Sequence, residues 1–252
     1  MADYPSTTRW LTPEERALAS QRLAHDGIGD TQGSEDRIKE SVALKMTVKD
    51  WKVWALAILY ALITGSQTMQ YFIPTLVQSF GWSGWKGQYH TIPPYAFALV
   101  CTPTFSWISD HYKNKPRFIS VFASIATIFF IIVAATTQKT VRYIFTIFAF
   151  GPIYGISPLI LMWVANVISY PAEKRAVAIA LVNALGNMSS IYGVFLWPAS
   201  DAPRYVPGFS ATTIWMALIA VIAPLMELQF RRRDRKVSSD AEQGDPKDNK
   251  PL

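Results

Sequence analysis

The chain has 252 residues, a formal net charge of +6, 50% hydrophobic residues and 17% charged ones. Those averages conceal two polar ends, residues 1–50 and 231–252, around a middle in which six stretches of at least 21 residues contain no Asp, Glu, Lys or Arg. Soluble helices need a charged face, so these stretches exclude an ordinary soluble bundle and point to a hydrocarbon layer roughly 30 Å thick, crossed by helices rising about 1.5 Å per residue.

In chain order, Thr12-Pro13-Glu14-Glu15 reads as a helix start, with Thr12 as N-cap, Pro13 at the first helical position and Glu15 completing a capping box. Leu18 and Leu23 give that helix an apolar side suited to a membrane surface or to the protein itself. No apolar stretch of the kind a secretory signal requires lies near Met1, and the Gly-, Asp- and Ser-rich segment 26–41 reads as linker. Six spans are expected at about 53–74, 90–109, 118–137, 143–166, 176–197 and 211–230. The fold class is therefore an all-α membrane protein, a six-transmembrane-helix bundle over residues 51–230, between a cytoplasmic linker-like segment 1–50 and a tail 231–252. From Val237 onward the tail has no apolar period, and disorder is expected.

With six spans both ends lie on one side of the membrane. That side carries thirteen basic residues near the spans, including Lys52, Lys113, Lys115, Arg117, Lys174, Arg175 and Arg231, against four on the other, Lys86, Lys139, Arg142 and Arg204. The excess of positive charge on cytoplasmic loops places both termini in the cytoplasm and accounts for the net charge without nucleic acid as a partner.

Candidate functional residues are uncharged. Gln67, Gln70, Tyr71 and Pro74 follow one another at i, i+3, i+4 and i+7, so two amides and a phenol converge beside a kink. An unpartnered amide in hydrocarbon costs roughly several kcal/mol, so this face borders other helices or a hydrated cavity. Gly151, Pro152, Gly155 and Pro158 in the fourth span either permit a helix break of the kind found beside transporter sites or reflect the general frequency of Gly and Pro in membrane helices. Asn183, Asn187 and Ser190 share a face of the fifth span with a ridge of Gly186, Ser189 and Gly193, read either as close helix packing or as a ligand-contacting surface. Trp163 and Asn166, near the inner end of the fourth span, are a further candidate, although Trp also favours the interface on its own account.

Several chemistries are missing. No His/Cys/carboxylate cluster has metal-ligand spacing, no acidic residue lies deep in a span, and neither a phosphate-cradling glycine loop nor a nucleophile elbow occurs, so an enzyme is not expected and no cofactor is implied. The single cysteine, Cys101, allows no disulfide framework and reads as lipid- or helix-facing packing.

The connection Ser109-Asp110-His111-Tyr112-Lys113-Asn114-Lys115-Pro116-Arg117 is either an ordinary basic loop or something more specific. It resembles the second copy of the loop motif of the major facilitator superfamily, in which an acidic residue and following bases latch the inner gate. The resemblance implies that Asp110, Lys113 and Arg117 form that cytoplasmic gate, with His111 standing where the family often has Arg. The fragments Asp50-Trp51-Lys52-Val53-Trp54, Tyr71-Phe72-Ile73-Pro74-Thr75, Thr91-Ile92-Pro93-Pro94-Tyr95, Lys174-Arg175-Ala176-Val177-Ala178, Gly186-Asn187 and Asp201-Ala202-Pro203-Arg204-Tyr205 are similar, in order and spacing, to the allantoate and nicotinate permease branch of fungal anion:cation symporters. Val167, Tyr170 and Ser190 depart from that branch. The similarity covers about Trp10 to Arg233 and only the C-terminal half of such a carrier, as expected of a truncated gene product or gene model. It implies proton-coupled alternating access for a small organic anion or vitamin-like carboxylate, in the plasma membrane, with Gln67, Gln70, Tyr71, Asn166, Asn183 and Asn187 at cavity positions. The charge of the substrate would be met by a missing N-terminal half or a second transporter chain. The alternative is a non-transporting membrane protein that binds or regulates a full-length transporter.

Overall fold

The computed structural model describes Thr8 and residues 10–25, 39–82 and 84–243. The linker reading over 26–38 and the end of the tail, 244–252, lie outside the described residues. The described chain is entirely helical: α1 (Pro13–His25), α2 (Glu40–Lys49), α3 (Trp51–Gln67), a 3-10 turn (Thr68–Phe72), α4 (Ile73–Ser79), α5 (Gly84–His111), α6 (Lys115–Ala135), α7 (Lys139–Val167), α8 (Ala172–Asn187), α9 (Ser189–Gly193) and α10 (Val206–Gln243), with two short 3-10 turns between α9 and α10. The capping box at α1 forms as read: the Glu15 carboxylate accepts the Thr12 amide at 3.0 Å and the Glu15 amide donates to the Thr12 hydroxyl at 3.4 Å.

Four helical stretches are long and apolar enough to cross a membrane, Lys115–Ala135, Lys139–Val167, Ala172–Leu196 and Val206–Arg233. The first expected span is divided among α3, the 3-10 turn and α4, and the second lies inside the 28-residue α5. One correction concerns the tail. The last helix runs on to Gln243, past Val237, from which disorder was expected. Arg231 pairs with Glu227 one turn earlier, and basic residues have good helix propensity.

The core follows helical periodicity. Val53, Leu56, Ala57, Tyr60 and Ile63 of α3 and Ala149, Phe150, Ile153, Ile156 and Ile160 of α7 are all buried. These two helices form the centre: α3 packs against α8, α10 and α7, and α7 packs against α5 and α6. Lipid offers apolar side chains no reason to leave it, so cohesion comes from close approach and interhelical hydrogen bonds. The ridge expected on the fifth span serves that end, because a Cβ at Gly186 would strike the Tyr60 ring and one at Gly193 the Thr68 side chain.

Gly151 and Gly155 do the same on α7, where no interruption of the helix accompanies them. The helix is continuous from Lys139 to Val167 through Gly151, Pro152, Gly155 and Pro158. A Cβ at Gly151 would lie 2.7 Å from Cys101 Sγ and from the Phe97 ring, and one at Gly155 would enter the Phe105 ring, so the glycines admit α5 rather than unwind α7.

Prolines in these helices release the carbonyl four residues earlier, which hydrocarbon cannot hydrate. Two of those carbonyls accept a hydroxyl from a different helix: His90 O, released by Pro94, accepts from Tyr143 at 2.9 Å, and Ala220 O, released by Pro224, accepts from Ser120 at 2.5 Å. Gln70 O, in the 3-10 turn, accepts the Ile73 amide and in addition the Tyr95 hydroxyl at 3.1 Å. Ser120→Ala is expected to destabilise the fold by about 1–3 kcal/mol, because it strands a buried acceptor. In a Pro224→Ala background the restored amide reclaims Ala220 O and the same substitution costs little. Thermal unfolding of the four proteins in detergent measures that coupling, and additive effects would refute it.

Candidate functional site

The polar residues of α3 are brought together with partners from three other helices. Near the middle of the bundle the Tyr60 hydroxyl donates to Asn183 Oδ1 at 3.2 Å and receives a bond from Ser157 at 3.4 Å. The Asn187 amide donates to Asn183 Oδ1 at 3.0 Å and to the Asn183 carbonyl at 2.9 Å. Beneath them Thr64 donates to Gly186 O at 2.7 Å and meets the Ser189 hydroxyl at 2.9 Å, holding α8 and α9 on α3. Further along, the Tyr154 hydroxyl donates to Gln70 Oε1 at 2.6 Å, and Gln67 Nε2 lies 3.4 Å from Ile153 O.

The reason for this convergence is local. After Gln67 the α-helix gives way to a 3-10 turn, Thr68–Phe72, before Pro74 opens α4 near its N-terminus. Residues three apart eclipse in a 3-10 turn, so Gln67 and Gln70 align and both reach α7. The discontinuity thus lies in the first span, beside the kink expected at Pro74, while α7 is continuous through Gly151 and Pro152.

Four of the six expected cavity residues, Gln67, Gln70, Asn183 and Asn187, thus lie along one polar strip made by α3, α5, α7 and α8. The strip is open on one side, where Asn183 and Asn187 are exposed. Two others are not gathered there. Tyr71 points out, 60% exposed, and Asn166 is exposed at the rim of a cavity of about 410 Å³ at the Asp110 end of the bundle, with Lys52, Lys113, Trp163, Glu227 and Arg231. Tyr60, Tyr95, Tyr154 and Ser157 belong to the strip but were not singled out from the sequence. Their signal was spacing: Tyr60 stands two turns before Gln67, and Tyr154 and Ser157 are three apart in the helix facing it.

The end of the bundle that carries Asp50 and Asp110 is held by ion pairs. Asp110 bonds Lys115 at 2.6 Å, rather than Lys113 or Arg117 as the resemblance implied. Lys113 has φ of 50°, a left-handed turn residue ending α5, and that geometry turns the chain so that Lys115 meets Asp110. Asp50 caps α3 by accepting the Lys52 amide at 3.1 Å and pairs with Lys174 of α8 at 2.7 Å. Burial pushes the Asp50 carboxyl up, but the bonds from Lys174 and Lys52 outweigh it and hold it below the ordinary carboxylate value. No group of three or more His, Cys, Asp or Glu among the described residues is placed to hold a metal.

A family model described as Major Facilitator Superfamily matches residues 6–194. The chain is similar to the MFS transporter prlL of a fungal species (strain NRRL 50135), 29% identical over 94% of this chain and 48% of that protein. It is also similar to the MFS-type transporter efuF of Hormonema carpetanum, 25% identical over 90% of this chain and 47% of the relative. The high-affinity nicotinic acid transporter of Saccharomyces cerevisiae is 25% identical over 90% and 42%. The chain spans about half the length of the curated relatives it matches.

Because the folded carboxyl of Asp50 titrates lower than its unfolded counterpart, the pair stabilises the fold above the ordinary carboxylate value and that contribution is lost as pH falls through the folded one. Melting temperature in detergent is expected to drop between about pH 5 and about pH 3. Asp50→Asn should flatten part of that drop; an unchanged profile would remove the pair as its source.

Proposed function

This chain belongs to the Major Facilitator Superfamily, a family of transporters and not of enzymes, and we propose that it forms one half of a carrier for a small organic anion or vitamin-like carboxylate. The observation that carries the reading is the polar strip: five side chains hydrogen-bonded across α3, α7 and α8, open on one side, in a chain half the length of its relatives. α3 with α4, and α5, complete six crossings in this reading, and both ends lie in the cytoplasm as the distribution of basic residues favours.

Amides and phenols of the strip suit the hydrogen-bonding periphery of a carboxylate. Gln70, Tyr154, Asn183 and Asn187 offer both donors and acceptors, but none carries charge. The opposing wall and the countercharge come from six further helices, whether of the same polypeptide or of a second chain. Alternating access then rocks the two halves, with the pairs Asp110–Lys115 and Asp50–Lys174 closing the inner end in one state and parting in the other. The 3-10 interruption at Gln67 is the place where such motion is accommodated without loss of satisfied backbone groups. Similarity to a nicotinic acid transporter favours a heteroaromatic carboxylate, with a proton as coupling ion.

A second reading, a chain that binds a full-length relative without transporting, is favoured by the exposed apolar side chains Leu99, Val100, Trp107, Ile191 and Phe195. Reconstitution of the chain in vesicles, alone and with the complementary half of a relative, distinguishes them. Uptake of labelled nicotinate driven by an inward proton gradient is expected with both halves present, falling at least about tenfold in Asn187→Leu. Unchanged uptake in that variant removes Asn187 from the site, and co-purification with a relative but no uptake in any arm supports the second reading.

A further inference from the structure

We infer that the end of the bundle opposite Asp110 carries a separate binding site for a small organic carboxylate, built around Arg142. This end lies a full α6 helix, about 31 Å, from Lys115. A cavity of about 340 Å³ opens there between the starts of α7 and α10 and the end of α4, a volume in the range of small-molecule sites.

Its electrostatics are one-sided. Arg142 is 5% exposed, and no carboxylate among the described residues pairs with it. Its two terminal nitrogens donate to the carbonyls of Pro203 and Arg204 at 2.9 and 2.8 Å, while Nε has no partner. Lys139 and Arg204 line the same cavity, and no acidic residue does. A buried cation without a counter-ion is costly, and Arg142 is joined along the cavity wall by two more cations, Lys139 and Arg204, which are exposed. They also stand at the wrong ends of their helices. Lys139 and Arg142 occupy the first turn of the 29-residue α7, and Arg204 precedes α10, where backbone amides already make the potential positive. Three cations and two helix N-termini thus converge on a space containing no negative charge, and an anion placed there offsets all five.

The walls select among anions. Phe80 and Phe209 flank the guanidinium, with ring centroids 5.4 and 5.3 Å away, and Ala134, Ala135 and Val206 complete an apolar lining. A bare inorganic ion would leave that lining unused; a carboxylate on an aromatic or alkyl body fills it. The site does not depend on the polar strip, which shares no residue with it.

Calorimetric titration of the full chain in an uncharged detergent tests this with benzoate, with benzamide as its neutral isostere, and with inorganic phosphate. Benzoate is expected to bind saturably, more weakly as salt rises, with benzamide and phosphate each at least about tenfold weaker. The double variant Lys139→Gln/Arg204→Gln keeps Arg142 and both of its carbonyl bonds, so it should fold, and it should weaken benzoate at least about tenfold. Equal binding of benzamide, no saturable benzoate binding, or an undiminished affinity in the double variant would each overturn the site.

Discussion

A polar group that hydrocarbon cannot hydrate must find its partner inside the protein, and in this chain that requirement ties one helix to the next. Prolines that would leave bare carbonyls in α5 and α10 instead create acceptors, and hydroxyls of Tyr143 and Ser120 reach across to them. Each such bond is at once a repair of one helix and a fixed contact with another. The same logic holds for Thr64, whose hydroxyl is shared between α3, Gly186 and Ser189.

Close approach makes those bonds possible. Tyr60 lies on Gly186, and Phe97 and Phe105 lie on Gly151 and Gly155, so backbones come near enough for short side chains to bridge. The polar strip grows directly from this packing. Tyr60 is buried because Gly186 admits its ring, and its hydroxyl then emerges beside Asn183. The polar groups of the strip and the packing groups are therefore the same residues seen from two sides.

The two ends of the bundle contrast. At the end that carries Asp110, the carboxylates of Asp50, Asp110 and Glu227 each meet a cation. At the other end, Arg142 is held by two carbonyls and two aromatic rings, with no carboxylate among the described residues, and shares its recess with two more cations. One end is built from mutual charge compensation, the other from charge left for something else to compensate.

Charge-free stretches, their lengths and the asymmetry of Lys and Arg are properties of the linear chain, and they determined that it is helical and membrane-directed; its relation to transporters was carried by the motif around Asp110 and the fragments that share its order. Helical spacing likewise placed Asn183 beside Asn187 and Gln67 beside Gln70, since neighbours within one helix follow from its period. Partners on other helices do not follow from it. That Tyr154 bonds Gln70, that Lys115 rather than Arg117 meets Asp110, and that Gly151 and Pro152 pack α5 while the helix gives way at Thr68, were decided by tertiary contacts. A glycine in a sequence permits both a break and a close approach, and only the neighbour facing it, here Phe105 for Gly155, selects between them.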